Sequence, residues 1–99
     1  MKIPKRFTQF GAVWKVRTRP DLLEDDCLGE ANHGRKTIDI YPPDGATLGI
    51  SRAKAEEVFC HELVHVLEKG ANVLELTEEQ VDIMGRLLRE FLESARGEI

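Results

Sequence analysis

The residues best equipped for chemistry in this chain lie together in Cys60-His61-Glu62-Leu63-Val64-His65. Two histidines stand four apart, and a glutamate directly follows the first. Four residues make about one helical turn, so on a helix both imidazoles project from one face and can close on a single metal ion. Zinc suits such a pair, because it takes neutral imidazole nitrogen and commonly adds a carboxylate. Glu62 would then reach a water activated by the metal, as general base, rather than the metal itself. The bland alternative is a surface helix with incidental histidines.

The elements around the motif favour the chemical reading. Residues 51–69 read as a helix, with Ser51 as N-cap, Ala53 and Ala55 as strong formers and Gly70 placed to end it. At about 100° per residue, Phe59, Cys60, Leu63, Val66 and Leu67 gather on a core face. His61, Glu62, His65 and Val58 fall on the other, toward a cleft. Further on, Thr77-Glu78-Glu79-Gln80 reads as a capping box opening a helix over 78–95. Its apolar stripe is Val81, Met84, Leu87, Leu88, Phe91, Leu92 and Ala95, which makes Met84 and Phe91 core residues. Arg86, Arg89, Glu90 and Glu93 point outward on this reading.

Upstream the period changes to two. Trp14 and Val16 alternate with Lys15, Arg17 and Arg19, which predicts a half-buried strand from residue 10 or 11, ended by Pro20. Lys15, Arg17 and Arg19 form its solvated face. Residues 1–8 are expected to be a loosely ordered lead-in. Residues 21–26 form an acidic connection with a short helical turn. Cys27 to Ala31 leads to Asn32-His33-Gly34, a turn signal in which His33 is a turn residue. Thr37-Ile38-Asp39-Ile40-Tyr41 follows as a second strand, pairing with the first as a hairpin with Ile38 and Ile40 inward. Pro42-Pro43-Asp44-Gly45 stops it, 47–50 links to the motif helix, and 71–76 connects the two helices. Strands followed by helices predict a small α+β fold, one domain over 1–99.

Composition agrees. The chain has 99 residues, 41% apolar and 32% charged, which suits one soluble globular domain. No apolar run approaches membrane-spanning length, and the N-terminal stretch lacks the apolar segment of a secretory signal, so a cytoplasmic location is expected. Cys27 and Cys60 make no disulfide framework; Cys60 reads as a reduced core thiol. Charge is uneven: the first twenty residues carry +6 and the remainder −10. A basic arm with Phe7, Phe10 and Trp14 interleaved could touch nucleic acid, but net acidity disfavours phosphate binding as the main task.

A catalytic zinc site wants a third protein ligand and an open position for water. The metzincin pattern needs glycine three residues past the second histidine and histidine six past it. Here Glu68 and Ala71 hold those places, which excludes that class. A downstream glutamate is left. Glu78 lies one turn before Asp82, so Glu78 is the candidate ligand and Asp82 a partner for the far nitrogen of a histidine. Glu79 is the runner-up, Glu68 a competitor on the motif helix, and Glu75 is less constrained. The ordinary alternative for Glu78 is an acid favoured by the helix dipole in the first turn.

His61-Glu62-Leu63-Val64-His65 followed by Glu78-x-x-x-Asp82 resembles the gluzincin zinc peptidases, whose third ligand is a glutamate on a later helix. Size and layout look like their minimal single-domain members and the small metallopeptidase-like proteins of bacteria and phages. Cys27-Leu28-Gly29-Glu30 followed by Thr37-Ile38-Asp39-Ile40 is similar to that group's strand arrangement. The gap from His65 to Glu78 is shorter than in the large gluzincins. The resemblance implies a zincin-like domain: an antiparallel or mixed sheet packed on the active-site helix, plus the C-terminal helix. It also implies a Zn2+ cofactor held by His61, His65 and Glu78, and hydrolysis of a peptide or protein substrate with Glu62 as base. The sheet's edge strand would border the cleft and pair with an extended peptide, with 37–41 the candidate strand and Tyr41 a candidate oxyanion donor. So small a domain would be narrow in substrate. The rival is a catalytically silent, zinc-containing peptide- or protein-binding module.

Overall fold

The alternating pattern of the N-terminal half produces four strands rather than two. They are β1 (Arg6–Gln9), β2 (Ala12–Thr18), β3 (Gly29–Asn32) and β4 (Thr37–Ile40), and two helices follow, α1 (Arg52–Ala71) and α2 (Glu78–Ser94). The structure, a computed structural model, describes residues 1–43, 50–72 and 75–99. The expected stop at Asp44-Gly45, the link at 47–49 and part of the 71–76 connector lie outside the described residues. The fold is α+β, with one mixed sheet in the order β1-β2-β4-β3.

Part of the expected lead-in is strand. Arg6 to Gln9 pairs antiparallel with β2 across a two-residue turn, Phe10-Gly11, at φ 51° and 76°. Positive φ at both central residues matches the twist of a tight hairpin. The expected hairpin between 10–19 and 37–41 does not form. β2 and β4 run parallel, from Lys15 opposite Thr37 to Thr18 opposite Ile40. Parallel neighbours need a crossover of about a dozen residues or more. The stretch from Arg19 to Lys36 provides it, through a 3-10 turn (Pro20–Asp25) that buries Leu22, and then β3. β3 pairs antiparallel with the far side of β4. Thr37 to Tyr41 is therefore central, buried at every position, and the sheet edge near α1 is β3.

Alternation places Ile38 and Ile40 in the core with Trp14, Phe59, Cys60 and Val66. Phe7 stacks on Trp14 at 6.1 Å and meets Phe59 edge-on at 6.3 Å. Burying side chains of this size contributes roughly 1.5–3 kcal/mol each. Burial also pushes the Cys60 thiol up to about 11, as expected of an inert core cysteine. On the opposite face of β4, Asp39 is 2% exposed and accepts hydrogen bonds from Arg17 Nε at 2.8 Å and Arg19 Nη1 at 3.0 Å. Lys15, Arg17 and Arg19 are thus not a free solvated face: two of the three neutralise a buried carboxylate that sequence alternation assigned no partner.

Ser51 caps α1 as expected, its Oγ accepting from the Lys54 amide at 3.1 Å. Gly70 does not end the helix; Asn72, left-handed at φ 54°, does. Gly70 instead makes room for Phe10, whose ring carbons would lie 2.2 Å from a Cβ there. The capping box of α2 is complete: Gln80 N donates to Thr77 Oγ1 at 3.1 Å, and Thr77 N donates to Gln80 Oε1 at 2.9 Å. The expected stripe of α2 is only partly buried. Val81 and Gly85 face α1, whereas Met84, Leu87 and Phe91 are 43%, 60% and 64% exposed, so Met84 and Phe91 are not core residues. The reason is packing: α1 lies between the sheet and α2, and the far side of α2 is exposed. Arg89, expected outward, donates to the buried Glu56 at 3.0 Å and ties α2 to α1. No helix among the described residues is long and apolar enough to cross a membrane.

Candidate metal centre

The motif helix presents its histidines as four-residue spacing requires. Their rings lie side by side, centroids 5.1 Å apart, and each side chain is about a quarter exposed. The start of α2 brings a carboxylate to both. Glu78 Oε2 lies 3.2 Å from His61 Nε2, and Glu78 Oε1 lies 2.9 Å from His65 Nε2. One ligand atom from each of His61, His65 and Glu78 therefore falls within 4.8 Å of the others. Two imidazole nitrogens and one carboxylate oxygen form a donor set that fits zinc. The Glu78 side chain is 74% exposed, so solvent reaches the group from that side.

The outer nitrogens also face carboxylates. Asp82 Oδ1 lies 3.6 Å from His61 Nδ1, the partnership that the spacing of Glu78 and Asp82 suggests. Asp82 also pairs with Arg86, whose guanidinium holds the carboxyl below its ordinary range. Glu68 plays the matching part at the second histidine. Its Oε2 lies 3.6 Å from His65 Nδ1, while its Oε1 accepts from the Leu76 amide at 3.1 Å. Glu68 thus stands behind His65, not beside Glu78, and also ties down the chain just before α2. Such carboxylates orient ligand imidazoles and raise their basicity. Glu75 and Glu79 are exposed and outside the cluster.

Glu62 sits between α1 and the edge strand β3. A Cβ on Gly29 would lie 3.1 Å from Glu62 Cγ and 2.5 Å from Val58 Cγ1, so glycine lets β3 press against the helix here. Burial pushes the Glu62 carboxyl above its ordinary range, against the opposing pull of His61, His65 and the Ala31 amide. A cleft of about 300 Å³ opens beside it, lined by His61, Glu62 and Asp82 on one wall and Cys27 to Gly29 on the other. Cys27 Sγ donates to Gly29 O at 2.7 Å along that second wall. Tyr41, the candidate oxyanion donor, is 4% exposed within the sheet and does not line this cleft. His33 packs edge-on against Trp14 at 5.5 Å, in the turn where its sequence context placed it.

Three contributors escaped the sequence reading. Gly85 lies against the His61 backbone, where a Cβ would sit 3.0 Å from both N and Cα. The signal was available: a glycine inside a helix costs about 1 kcal/mol against alanine, and α2 contains one, within its buried stripe. Gly29 gave no comparable signal, because its role depends on β3 reaching the motif helix. The double role of Glu68 was half legible, since it stands one turn from His65.

Comparison with protein-family models, with curated proteins and with solved structures returned no match.

Proposed function

We propose that this chain is a zinc-dependent metallopeptidase of the gluzincin kind, with His61, His65 and Glu78 as metal ligands and Glu62 as general base. One observation carries the proposal: Glu78, from a second helix, meets the Nε2 atoms of both motif histidines at 2.9 and 3.2 Å. A carboxylate from another element that meets both imidazoles is the arrangement a shared ion requires. Bound zinc supplies Lewis acidity, polarising a carbonyl and acidifying water.

The chain's own residues account for the rest. Glu62 stands beside the metal ligands without joining them, and its carboxylate can take a proton from the attacking water and return it to the leaving amide nitrogen. Desolvation raises its basicity, in the direction such a shuttle needs. The cleft along Cys27 to Gly29 leads to β3, which is paired through β4 alone. Its outer edge suits an extended peptide, the role first assigned to 37–41. A domain of 99 residues leaves little room for binding subsites, which supports a limited substrate range. Arg17 and Arg19 are engaged by Asp39, which weakens the case for a nucleic-acid partner.

The test is hydrolysis of a broad peptide library by zinc-loaded protein, with Glu62→Gln as the partner sample. The amide keeps the shape and cannot act as base, so a loss on the order of a hundredfold or more is expected with zinc retained. Wild-type protein that holds zinc and cuts nothing would favour the peptide-binding module.

A further inference from the structure

A second cavity, of about 240 Å³, opens past the far end of β3. Phe10, Trp14 and Val66 supply apolar wall, and His33, Lys36 and Lys69 supply polar wall. No carboxylate lines it, although the chain as a whole has a net charge of −4. Lys36 holds its ammonium 5.5 Å from the centre of the Trp14 ring, and His33 meets the same ring edge-on. The two lysine charges converge on this turn. Burial, then Lys69, then Lys36 push the His33 imidazole below its ordinary range, with His65 adding to them and Glu68 opposing. Lys36 stands at φ 58°, in the left-handed region that favours glycine. A lysine kept in that conformation gives the turn a charge that glycine would not.

The cavity lies on the path of a peptide held by β3. That strand begins at Gly29, beside Glu62 and the metal cleft, and ends at Asn32, next to His33. On α1, Lys69 follows His65 by one turn and Glu62 by two, so all three share a face. Seven residues of helix separate Glu62 from Lys69 by about 10 Å along the axis. An extended chain advances about 3.3 Å per residue, so about three residues cover that distance.

We propose that this cavity is a specificity pocket for a carboxylate, which Lys36 and Lys69 bind about three residues from the scissile bond of a peptide lying along β3. The inference rests on the peptidase reading for the bond that is cut, but not for the binding itself. Two ammonium groups neutralise the carboxylate, and His33 adds an N–H donor. Walls that displace water strengthen the attraction. An acidic side chain and a free C-terminal carboxylate share this chemistry. Pairing antiparallel to β3 carries the N-terminal side of the peptide toward His33, and parallel pairing carries the C-terminal side there. Antiparallel pairs are slightly more stable per residue, so an acidic side chain before the scissile bond is expected.

Fluorescence anisotropy of zinc-loaded Glu62→Gln protein tests the pocket without cleavage of the probe. The probes are pairs of labelled, amidated peptides that differ only by glutamate or glutamine at one position, walked along a mixed-sequence background. Glutamate should tighten binding several-fold at one position, and added salt should shrink that advantage. Lys36→Gln combined with Lys69→Gln should bind both members of the pair alike while keeping its zinc and its circular dichroism spectrum. Lys36→Glu combined with Lys69→Glu should prefer lysine over glutamine at the same position. A free C-terminal carboxylate that replaces the glutamate would assign the pocket to a chain end; a response to glutamate alone assigns it to a side chain. No position at which glutamate outbinds glutamine would overturn the proposal, as would an advantage that survives the double glutamine variant. Hydrolysis by wild type separates the two readings. Cleavage with no preference for glutamate removes the pocket and leaves the peptidase; glutamate-dependent binding without cleavage removes the peptidase and leaves the pocket.

Discussion

Gly85 of α2 rests directly on the backbone of His61: a methyl group there would approach the His61 N and Cα to 3.0 Å each. These are main-chain atoms of a helix, so the clash cannot be relieved by turning a side chain. Helix α2 must move away from α1. Glu78 and Asp82, on the same side of α2, would move with it.

Gly85→Ala should therefore weaken zinc binding at least several-fold, and Gly85→Val more. Stability alone is an inadequate readout, because a helical glycine replaced by alanine gains about 1 kcal/mol from propensity. Gly70→Ala is the comparator, since its clash is with the movable ring of Phe10 rather than with the His61 backbone. It should leave zinc affinity close to wild type. Chelator competition on the three variants measures the difference.

The two jobs of Glu68 can be separated. Glu68→Gln keeps an oxygen for the Leu76 amide but removes the charge facing His65, and should lower zinc affinity by about 10-fold, the lower end for such partners. Glu68→Ala removes both and should cost more, with added mobility of residues 75–77 seen as faster amide exchange. Equal affinities for Glu68→Gln and wild type would mean that its charge is irrelevant to His65.

Asp39 should govern acid stability. Burial works to raise its carboxyl, but hydrogen bonds from Arg17 and Arg19 outweigh that and hold it below the ordinary carboxylate range. A depressed folded-state value means that its stabilising contribution is complete above the ordinary range and is lost as pH falls through the folded value. Asp39→Asn should cost about 1–3 kcal/mol near neutrality, a figure tempered by the partial exposure of both arginines. The difference from wild type should shrink toward the acid limit. Urea melts at several pH values would measure it, and a difference independent of pH would contradict the assignment.

What could be read from the chain, and what could not, divides along the reach of the interactions. Ser51, Thr77 with Gln80, and the face shared by His61 and His65 depend on neighbours within one helical turn, so local pattern was enough. Glu78 and Asp82 were legible in part: their spacing gives a shared face on α2, but that this face meets His61 and His65 depends on how the two helices pack. The strand pairing was not. Alternation in 12–18 and 37–40 assigns faces but is silent on whether the strands run parallel. A parallel pair also moved the free edge from β4 to β3. Arg17, Arg19 and Asp39 look like solvent-facing charges until the sheet sets them side by side. Met84 and Phe91 belong to a helical stripe that is real, but wider than the single neighbour α2 has to cover it.

The most direct measurement of the metal centre is a zinc titration of wild type, Glu78→Ala, Asp82→Ala and Glu79→Ala, read by competition with a chelator of known affinity. One zinc per chain is expected for wild type, with the largest loss for Glu78→Ala and an intermediate loss of about 10–100-fold or less for Asp82→Ala. Glu79→Ala should remain close to wild type, because Glu79 is exposed and outside the cluster. A Glu78→Ala protein that binds zinc as tightly as wild type would contradict a centre built from His61, His65 and Glu78.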